Sequence, residues 1–351
     1  MKALYKDILN KVHKEHEQNQ NIDRNRNSRV LIIDGLNTFI RCWSAIPTMN
    51  DDGDHVAGVT GVLKSIGLAI RTVQPTRVIV VFDGKGGSNS RKKIYSGYKA
   101  GREKNKLRVN RQYADMMNEE DERESMKRQY VWLSEMLHEL PISTMIYDGV
   151  EADDVMGYIA TQLLKEDEQA VLMSTDKDFL QLVNDKTIVW SPTKKKIYNK
   201  QTLKEEYGLE SQNMLIYRVL DGDKSDGIPG VKGIGIKTLL KRFPEIAGKE
   251  PVSIERILEL AKEAKKTSKI KLYDTILKSK EQLLMNQRLM QLKDPILPGD
   301  TKLKIMEVFD EPIKPVNKID FLKVCMKYKV INNMGDMNKW LNTTFSNLVT
   351  D

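Results

Sequence analysis

Short, almost continuously apolar segments that alternate with helix-like periodicity constrain the fold of this chain most. Arg29–Asp34 and Arg77–Asp83 are β-branched runs, and residues 142–148 and 170–176 continue the series. Residues 56–73 have apolar side chains at helical spacing. Strands that are apolar on both faces are typical of parallel sheets covered by helices on both sides. The sequence therefore predicts an α/β fold with a mostly parallel central sheet flanked by helices.

The composition indicates a chain that folds around a large core without a membrane anchor. Of its 351 residues, 40% are hydrophobic, yet the longest unbroken apolar run spans only residues 78–82. A membrane-spanning helix needs roughly 20 such residues. The amino terminus lacks the apolar segment of a secretory signal, and Cys42 and Cys325 form no disulfide framework. We expect a cytoplasmic protein with no membrane partner.

The formal net charge of +8 favours a polyanionic partner such as nucleic acid. The four histidines have no zinc-type spacing relative to the two cysteines. A zinc site is therefore not predicted.

Shifts in composition divide the sequence into three predicted segments. Residues 1–28 form a short amphipathic arm and a polar linker, residues 29–212 contain the predicted strands, and residues 213–351 read as mostly helical. Residues 187–198 predict a hairpin. Residues 101–128 are highly charged, and on their own they fit either a disordered loop or a solvated helix; an apolar stripe returns at 129–140.

Acidic residues follow the predicted strands, at or just beyond their carboxyl ends. They are Asp34, Asp83, Glu151, Asp153, Asp154, Asp176 and Asp178, and Asp223 and Asp226 in the segment GDKSDG join them as further candidates. The carboxyl ends of parallel strands meet at the ligand-binding edge of the sheet. Clustered carboxylates repel one another unless cations neutralise them, and a set of oxygen ligands suits Mg²⁺ or Mn²⁺. Two such ions about 4 Å apart can clamp a phosphodiester.

The alternative is that these acids cap helices or form turns, as aspartate often does. Four strand ends with acids favour a metal site over that alternative. Glu151 and Asp154 should share one face of a starting helix, with Asp153 pointing elsewhere. Asp178 is equally interpretable as a helix N-cap.

A glycine-rich segment at residues 228–243 predicts a tight turn that leads into a basic amphipathic helix. Its glycines and lysines are Gly230, Gly233, Gly235, Lys232, Lys237 and Lys241. Exposed backbone N–H groups at such a helix start can hold a phosphate, and the lysines add attraction to a duplex without reading its sequence. An ordinary connection between two helices is the alternative.

The segment RKKIYSGYKAGR, residues 91–102, is a third candidate. Arg91, Lys99 and Arg102 are predicted to face the acidic residues, and Tyr95 and Tyr98 to stack on an unpaired base. A solvated basic run is the alternative.

Together, LIIDGLN, VVFDGKGGSNSRKKIYSGYKAGR, YDGVEADDVMGYIA, LMSTDKDFLQLV and LDGDKSDGIPGVKGIGIKT resemble the 5′-nuclease (flap endonuclease) superfamily. The resemblance is to the branch of phage 5′–3′ exonucleases and bacterial DNA polymerase I nuclease domains. It spans about residues 29–300, and more loosely to about 345.

This resemblance implies a PIN-like fold with a helical arch at about residues 91–140 and a helix–hairpin–helix subdomain. It implies a metal-dependent 5′–3′ exonuclease and flap endonuclease that hydrolyses DNA at 5′ single-strand/duplex junctions. Removal of primers during replication and repair would be its role. Two Mg²⁺ ions, replaceable by Mn²⁺, would be its cofactors, with K⁺ at the hairpin as in relatives.

By position, the resemblance assigns site residues. The first metal cluster would be Asp34, Asp83, Glu151, Asp153 and Asp154, and the second Asp176, Asp178, Asp223 and Asp226. Catalytic roles fall to Lys99, Arg102, Asp34, Asp83 and Asp176. DNA contacts fall to Arg91, Tyr98, Lys99, Arg102, Gly230, Lys232, Gly233, Gly235 and Lys237. Gly227 departs from the Asn usual in relatives, next to the second cluster.

The expected partners are DNA with a 5′ flap or 5′ single-stranded end, including RNA-primed ends, and replication proteins such as a polymerase or a single-strand binding protein. A monomer is expected. Three alternatives stay open: RNase H-like removal of RNA primers as the main activity, a non-catalytic junction-binding protein, and a PIN-type ribonuclease.

Overall fold

A six-stranded sheet forms the centre of the computed structural model, which describes residues 25–101 and 117–348. Its strands are β1 (Arg29–Asp34), β2 (Arg77–Asp83), β3 (Ser143–Tyr147), β4 (Gln169–Met173), β5 (Thr187–Ser191) and β6 (Lys196–Tyr198). They are ordered β3-β2-β1-β4-β5-β6. Strands β1 to β5 are parallel, and β6 pairs antiparallel with β5 as the predicted hairpin. The predicted α/β fold with a mostly parallel sheet is confirmed.

Helices cover both faces of this sheet. They are α1 (Gly35–Ala45), α2 (Ala57–Val73), α3 (Asn89–Ile94), α4 (Glu119–His138), α5 (Ala152–Tyr158), α6 (Lys200–Tyr207), α7 (Met214–Asp221), α8 (Ile236–Arg242), α9 (Ile254–Thr267), α10 (Lys271–Lys278), α11 (Lys280–Met290), α12 (Gly299–Asp310), α13 (Lys318–Lys327), α14 (Ile331–Met334) and α15 (Met337–Thr344). Within the described residues, no helix has the length and apolar composition that crossing a membrane requires.

The bounds of the strands set where the acids lie. β1 and β2 end at Asp34 and Asp83, as predicted. β4 ends at Met173, earlier than the predicted Asp176, because Asp176 caps a short 3₁₀ turn at Lys177–Leu182. β3 is likewise shorter than the predicted 142–148. Asp176 is therefore part of a turn beyond the strand.

Two hydrophobic clusters divide the chain by sheet face. One face is covered by α1, α2, α4 and the carboxyl-terminal helices α13 to α15. The other face is covered by α5, α7 and helices α9 to α12. Segments on both sides of residue 212 therefore contribute to each core. The hydrophobic cores do not separate at the predicted domain boundary.

Helix α4 belongs to the covering layer of the core. Leu133 and Met136 are fully buried, and Oε1 of Gln129 accepts a hydrogen bond from the N–H of Gly58 at the start of α2 (2.8 Å). The carboxyl-terminal part of the predicted arch is thus packed on the sheet's helices. Residues 102–116 of that arch, and residues 1–24 of the predicted amino-terminal arm, lie outside the described residues.

Candidate active site

Backbone groups hold the carboxylates at the ends of β1 and β2. Oδ1 of Asp34 accepts the N–H of Asn37 (3.0 Å), which caps α1, and Oδ2 accepts the hydroxyl of Ser174 (3.1 Å). Oδ1 of Asp83 accepts the N–H of Ala152 at the start of α5 (2.7 Å). Asp34 therefore caps a helix and Asp83 anchors the start of α5, while both stand at the carboxyl ends of their strands.

Four acids form the centre of the site: Asp34, Asp83, Asp153 and Asp176, hereafter the central acids. Asp34 is buried, and the other three are partly buried. Burial, followed by the charges of Asp83 and Asp176, raises the pKa of Asp34 to about 7. Burial and then Asp176 and Asp34 raise the pKa of Asp153. Since the charges of Asp83 and Asp176 disfavour ionisation of Asp34 and Asp153, and all four come from different segments, the fold concentrates negative charge at one point.

Glu151 and Asp154 share a helix face, as predicted, and that face lies against basic residues. Nη1 and Nη2 of Arg91 lie 2.7 and 2.8 Å from the two carboxylate oxygens of Asp154, and Arg91 also contacts Glu151. Lys99 forms a second ion pair with Glu151. Burial opposes ionisation of Glu151, but Arg91 and Lys99 outweigh it and hold its pKa below its ordinary value. Asp153 instead lies close to the other three central acids, whose charges act on it.

Arg218 lies between Asp178 and Asp223, as Arg91 lies between Glu151 and Asp154. Its side chain is 4% exposed, its Nε lies 2.6 Å from Oδ1 of Asp178, and its other end contacts Asp223. Of the two interpretations left open for Asp178, the helix N-cap is wrong, since Asp176 is the cap and Asp178 binds Arg218. Sequence reasoning missed Arg218. Its signal is a charged residue within the otherwise apolar run MLIYRVL of α7.

The segment GDKSDG places its acids beside Asp176. Asp223 accepts the N–H groups of Ser225 (2.7 Å) and Asp226 (3.2 Å), which closes a tight turn. Burial is the largest cause that raises the pKa of Asp176, and the charges of Asp223 and Asp226 add to it. The loop therefore extends the negative region past β4.

The donor set fits a hard divalent cation. As the side chains stand in the described residues, no three acidic, histidine or cysteine groups already form a metal-binding cluster. Arg91, Lys99 and Arg218 neutralise Glu151, Asp154, Asp178 and Asp223 by direct contact. The central acids retain their mutual repulsion, which a cation would relieve, and all their donors are oxygens. Asp34, Asp83, Asp153 and Asp176 are thus the residues suited to hold it.

Two predicted DNA-contacting residues are corrected by their burial. The ring of Tyr98 is 3% exposed and packs with Ile228, Leu289 and Met290, so it cannot stack on a base, and its hydroxyl donates to Glu151 (3.1 Å). Arg91 is buried on Asp154 and donates from Nε to the carbonyl of Leu289 (2.8 Å). Both residues position acids. Arg102 lies outside the described residues.

The glycine-rich segment leads directly into α8, as predicted. Val231 and Ile234 are buried and anchor it to the core. Gly233 has φ +88° in open space, and a Cβ on Gly230 would meet the carbonyl of Asp221. Gly235 is the N-cap of α8. The side chains of Lys232, Lys237 and Lys241 are exposed, so the apolar residues fix the turn while the basic residues face outward.

Comparisons with known proteins agree with this geometry. Residues 29–208 match the family described as 5′–3′ exonuclease, N-terminal resolvase-like domain. The 5′–3′ exonuclease of Bacillus subtilis is 32% identical over 242 residues, 66% of this chain and 74% of that protein. DNA polymerase I of the same organism is 31% identical over 267 residues, which are 74% of this chain but only 27% of that protein.

A solved structure shares the fold. The flap endonuclease of bacteriophage T5, crystallised with DNA and metal ions, superposes with a TM-score of 0.59 at 20% identity. The match covers 85% of this chain and 99% of that one. Nearly the whole phage protein therefore has a counterpart in this architecture.

Proposed function

The chain belongs to the 5′–3′ exonuclease family, and on that basis we propose that it is a structure-specific 5′ nuclease. Its substrate is DNA with a 5′ single strand at a duplex junction, and its reaction is hydrolysis of a phosphodiester bond. The observation that carries the proposal is the gathering of Asp34, Asp83, Asp153 and Asp176 from four separate segments at one edge of the sheet.

The central acids hold divalent ions, with Mg²⁺ as the physiological ion and Mn²⁺ as a substitute. When bound, a pair of such ions supplies activation of water and charge stabilisation at the phosphate. Asp223 and Asp226 extend the site towards a second ion beside Asp176. Arg91 and Arg218 fix Glu151, Asp154 and Asp178 in place around the ions, and Arg91 together with Lys99 keeps Glu151 ionised.

Lys99 acts as a cation at the reacting phosphate. Burial favours its neutral form, but Glu151, Asp153 and Asp226 outweigh burial and raise its pKa. It is therefore protonated at neutral pH and cannot serve as a general base. In this role it orients the phosphate and stabilises the negative charge that develops on it. Arg102 assists it.

The glycine-rich segment grips the duplex beside the junction. Exposed N–H groups around Gly233 and the side chains of Lys232 and Lys237 contact phosphates, so binding is independent of sequence. K⁺ at this segment belongs to the same proposal. Removal of primers or flaps in replication and repair is the cellular role.

The test is a 5′-labelled flap duplex incubated with Mg²⁺, with the 5′ end either free or blocked by a bulky group. Cleavage at the junction, lost in EDTA, supports the proposal, and inhibition by the block indicates that the 5′ strand is threaded. A companion substrate with an RNA 5′ segment measures the preference for primers. Absence of cleavage on every DNA substrate with Mg²⁺ or Mn²⁺ would contradict the proposal.

A further inference from the structure

The turn that carries Lys99 touches the loop that carries Asp223 and Asp226. The N–H of Lys99 donates to the carbonyl of Asp226 at 2.7 Å, and the N–H of Ala100 closes the turn on the carbonyl of Gly97 (3.2 Å). The two segments lie more than a hundred residues apart in sequence. Their contact joins the basic and the acidic parts of the site through backbone atoms.

Both sides of this contact have left-handed backbone conformations. Lys99 has φ +56° and Gly227 has φ +71°. A non-glycine residue rarely adopts this conformation, and one that does is held there by its surroundings. For Lys99 the holding group is the carbonyl of Asp226. Next to it, Tyr98 packs on Ile228 of the same loop.

Gly227 allows the loop to approach this closely. A Cβ on Gly227 would lie 2.6 Å from the carbonyl oxygen of Gly97, a separation that real Cβ atoms essentially never show. The obstacle is backbone, so no side-chain rotation relieves it. Any residue larger than glycine must push the loop away from the 97–99 turn.

We propose that Gly227 is a positioning residue for Lys99. By docking without a side chain, it brings the carbonyl of Asp226 to the Lys99 amide and so fixes the lysine ammonium beside Glu151. This inference rests on the proposed nuclease function. It gives a physical reason why this chain departs from the Asn that is usual in relatives, and it makes the placement of Lys99 depend on that loop.

A double-mutant cycle tests this role. Single-turnover cleavage at saturating DNA is measured for the wild type, Gly227→Ala, Lys99→Ala and the double variant. Gly227→Ala should slow cleavage at least about tenfold, because displacement of a catalytic group by a fraction of an ångström is costly. In the Lys99→Ala background the same substitution should have almost no further effect, since residues that act as a unit are not additive.

Gly53→Ala is the matched control. Gly53 has a similar φ of +79°, but a Cβ there meets nothing within 4 Å. It therefore reproduces the backbone strain without the collision, and its cleavage rate should equal that of the wild type. Gly227→Asn is the second variant, because asparagine tolerates the left-handed region better yet still carries a Cβ. It should be slow as well.

The possible outcomes distinguish a failure of the positioning role of Gly227 from a failure of the proposed nuclease function. Wild-type rates for Gly227→Ala and Gly227→Asn, or multiplicative losses in the double variant, would overturn the positioning role. A Gly227→Ala protein that fails to bind flap DNA in Ca²⁺ would also overturn it, because the damage would then be general. Failure of the wild type to cleave any flap would instead refute the proposed function.

Discussion

Nε of Arg218 lies 2.6 Å from Oδ1 of Asp178, and this buried pair ties α7 to the turn that follows β4. The same guanidinium contacts Asp223. Arg91 has the equivalent position between Glu151 and Asp154. Among the described residues, the two buried arginines and Lys99 therefore pair directly with four of the nine predicted acids, Glu151, Asp154, Asp178 and Asp223, and the four central acids form no such pair.

Replacement of Arg218 by methionine should destabilise the protein. It leaves Asp178 and Asp223 as partly buried charges without their buried partner, and breaking such a pair costs about 3 kcal/mol. The free energy of unfolding, measured by urea titration in EDTA, checks this. Arg256→Met is the control, since Arg256 pairs with Glu245 on the surface, and it should change stability little. Equal effects of both substitutions would contradict the assignment.

Asp153→Asn should have opposite effects on stability and activity. Removing one of several partly buried acids that repel one another should stabilise the metal-free protein by about 1 kcal/mol, because a neutral isostere avoids the desolvation penalty. The same change removes a metal-holding oxygen, so cleavage and stabilisation by Mg²⁺ should be lost. Thermal unfolding with and without Mg²⁺ measures both effects. Destabilisation of the metal-free variant would show that Asp153 is not repelled by its neighbours.

Asp34 should make a contribution to the stability of the metal-free protein that is lost as the pH rises from about 4 to about 7. Burial, then Asp83 and Asp176, raises the pKa of Asp34 to about 7 from an ordinary value of 3.8. In this window the folded chain therefore retains a proton that the unfolded chain loses, so increasing pH favours unfolding. Urea titrations in EDTA at several pH values, compared with Asp34→Asn, isolate this contribution. Stability that changes with pH in the variant as it does in the wild type, or that falls more steeply, would contradict it.

Lys99→Ala should slow single-turnover cleavage far more than it weakens DNA binding, by roughly a hundredfold or more in rate. Its ammonium is fixed by Glu151 inside the site, so its loss removes stabilisation of the reacting phosphate. Lys93→Ala is the control, because Lys93 belongs to the same basic segment but is exposed on α3. An unchanged rate for Lys99→Ala would remove the lysine from the mechanism.

The double variant Lys232→Ala, Lys237→Ala should bind duplex DNA more weakly and with less salt dependence. Each lost phosphate contact lowers the slope of log affinity against log salt by about 1. Lys323→Ala, an exposed lysine on the other face of the sheet, should leave the slope unchanged. A slope equal to that of the wild type in the double variant would show that these lysines do not contact the duplex.

The sequence predicted the elements that are determined by interactions between residues close in sequence. β1 and β2 end where their β-branched runs meet Asp34 and Asp83, because a doubly covered strand must be apolar along its whole length. The turn around Gly233 and the start of α8 follow from glycine and the helical period that comes after it. The gathering of strand-end acids follows from parallel pairing alone.

The parts that sequence reasoning missed depend on tertiary contacts. Tyr98 lies in a turn, where no periodicity reveals that its ring is buried against Ile228 and Leu289. Arg91 faces the acids, as predicted, but no spacing rule identifies its partner Glu151, 60 residues away, or pairs Arg218 with Asp178, 40 residues away. The early end of β4 follows from capping by Asp176, a choice between strand and turn that the sequence leaves open.

Anomalous diffraction from a crystal soaked in Mn²⁺ tests the central claim most directly. We predict an anomalous peak within coordination distance of oxygens from Asp34, Asp83, Asp153 and Asp176, with a second peak on the side of Asp223 and Asp226. Manganese bound elsewhere, or no peak among the central acids at millimolar concentration, would contradict the account.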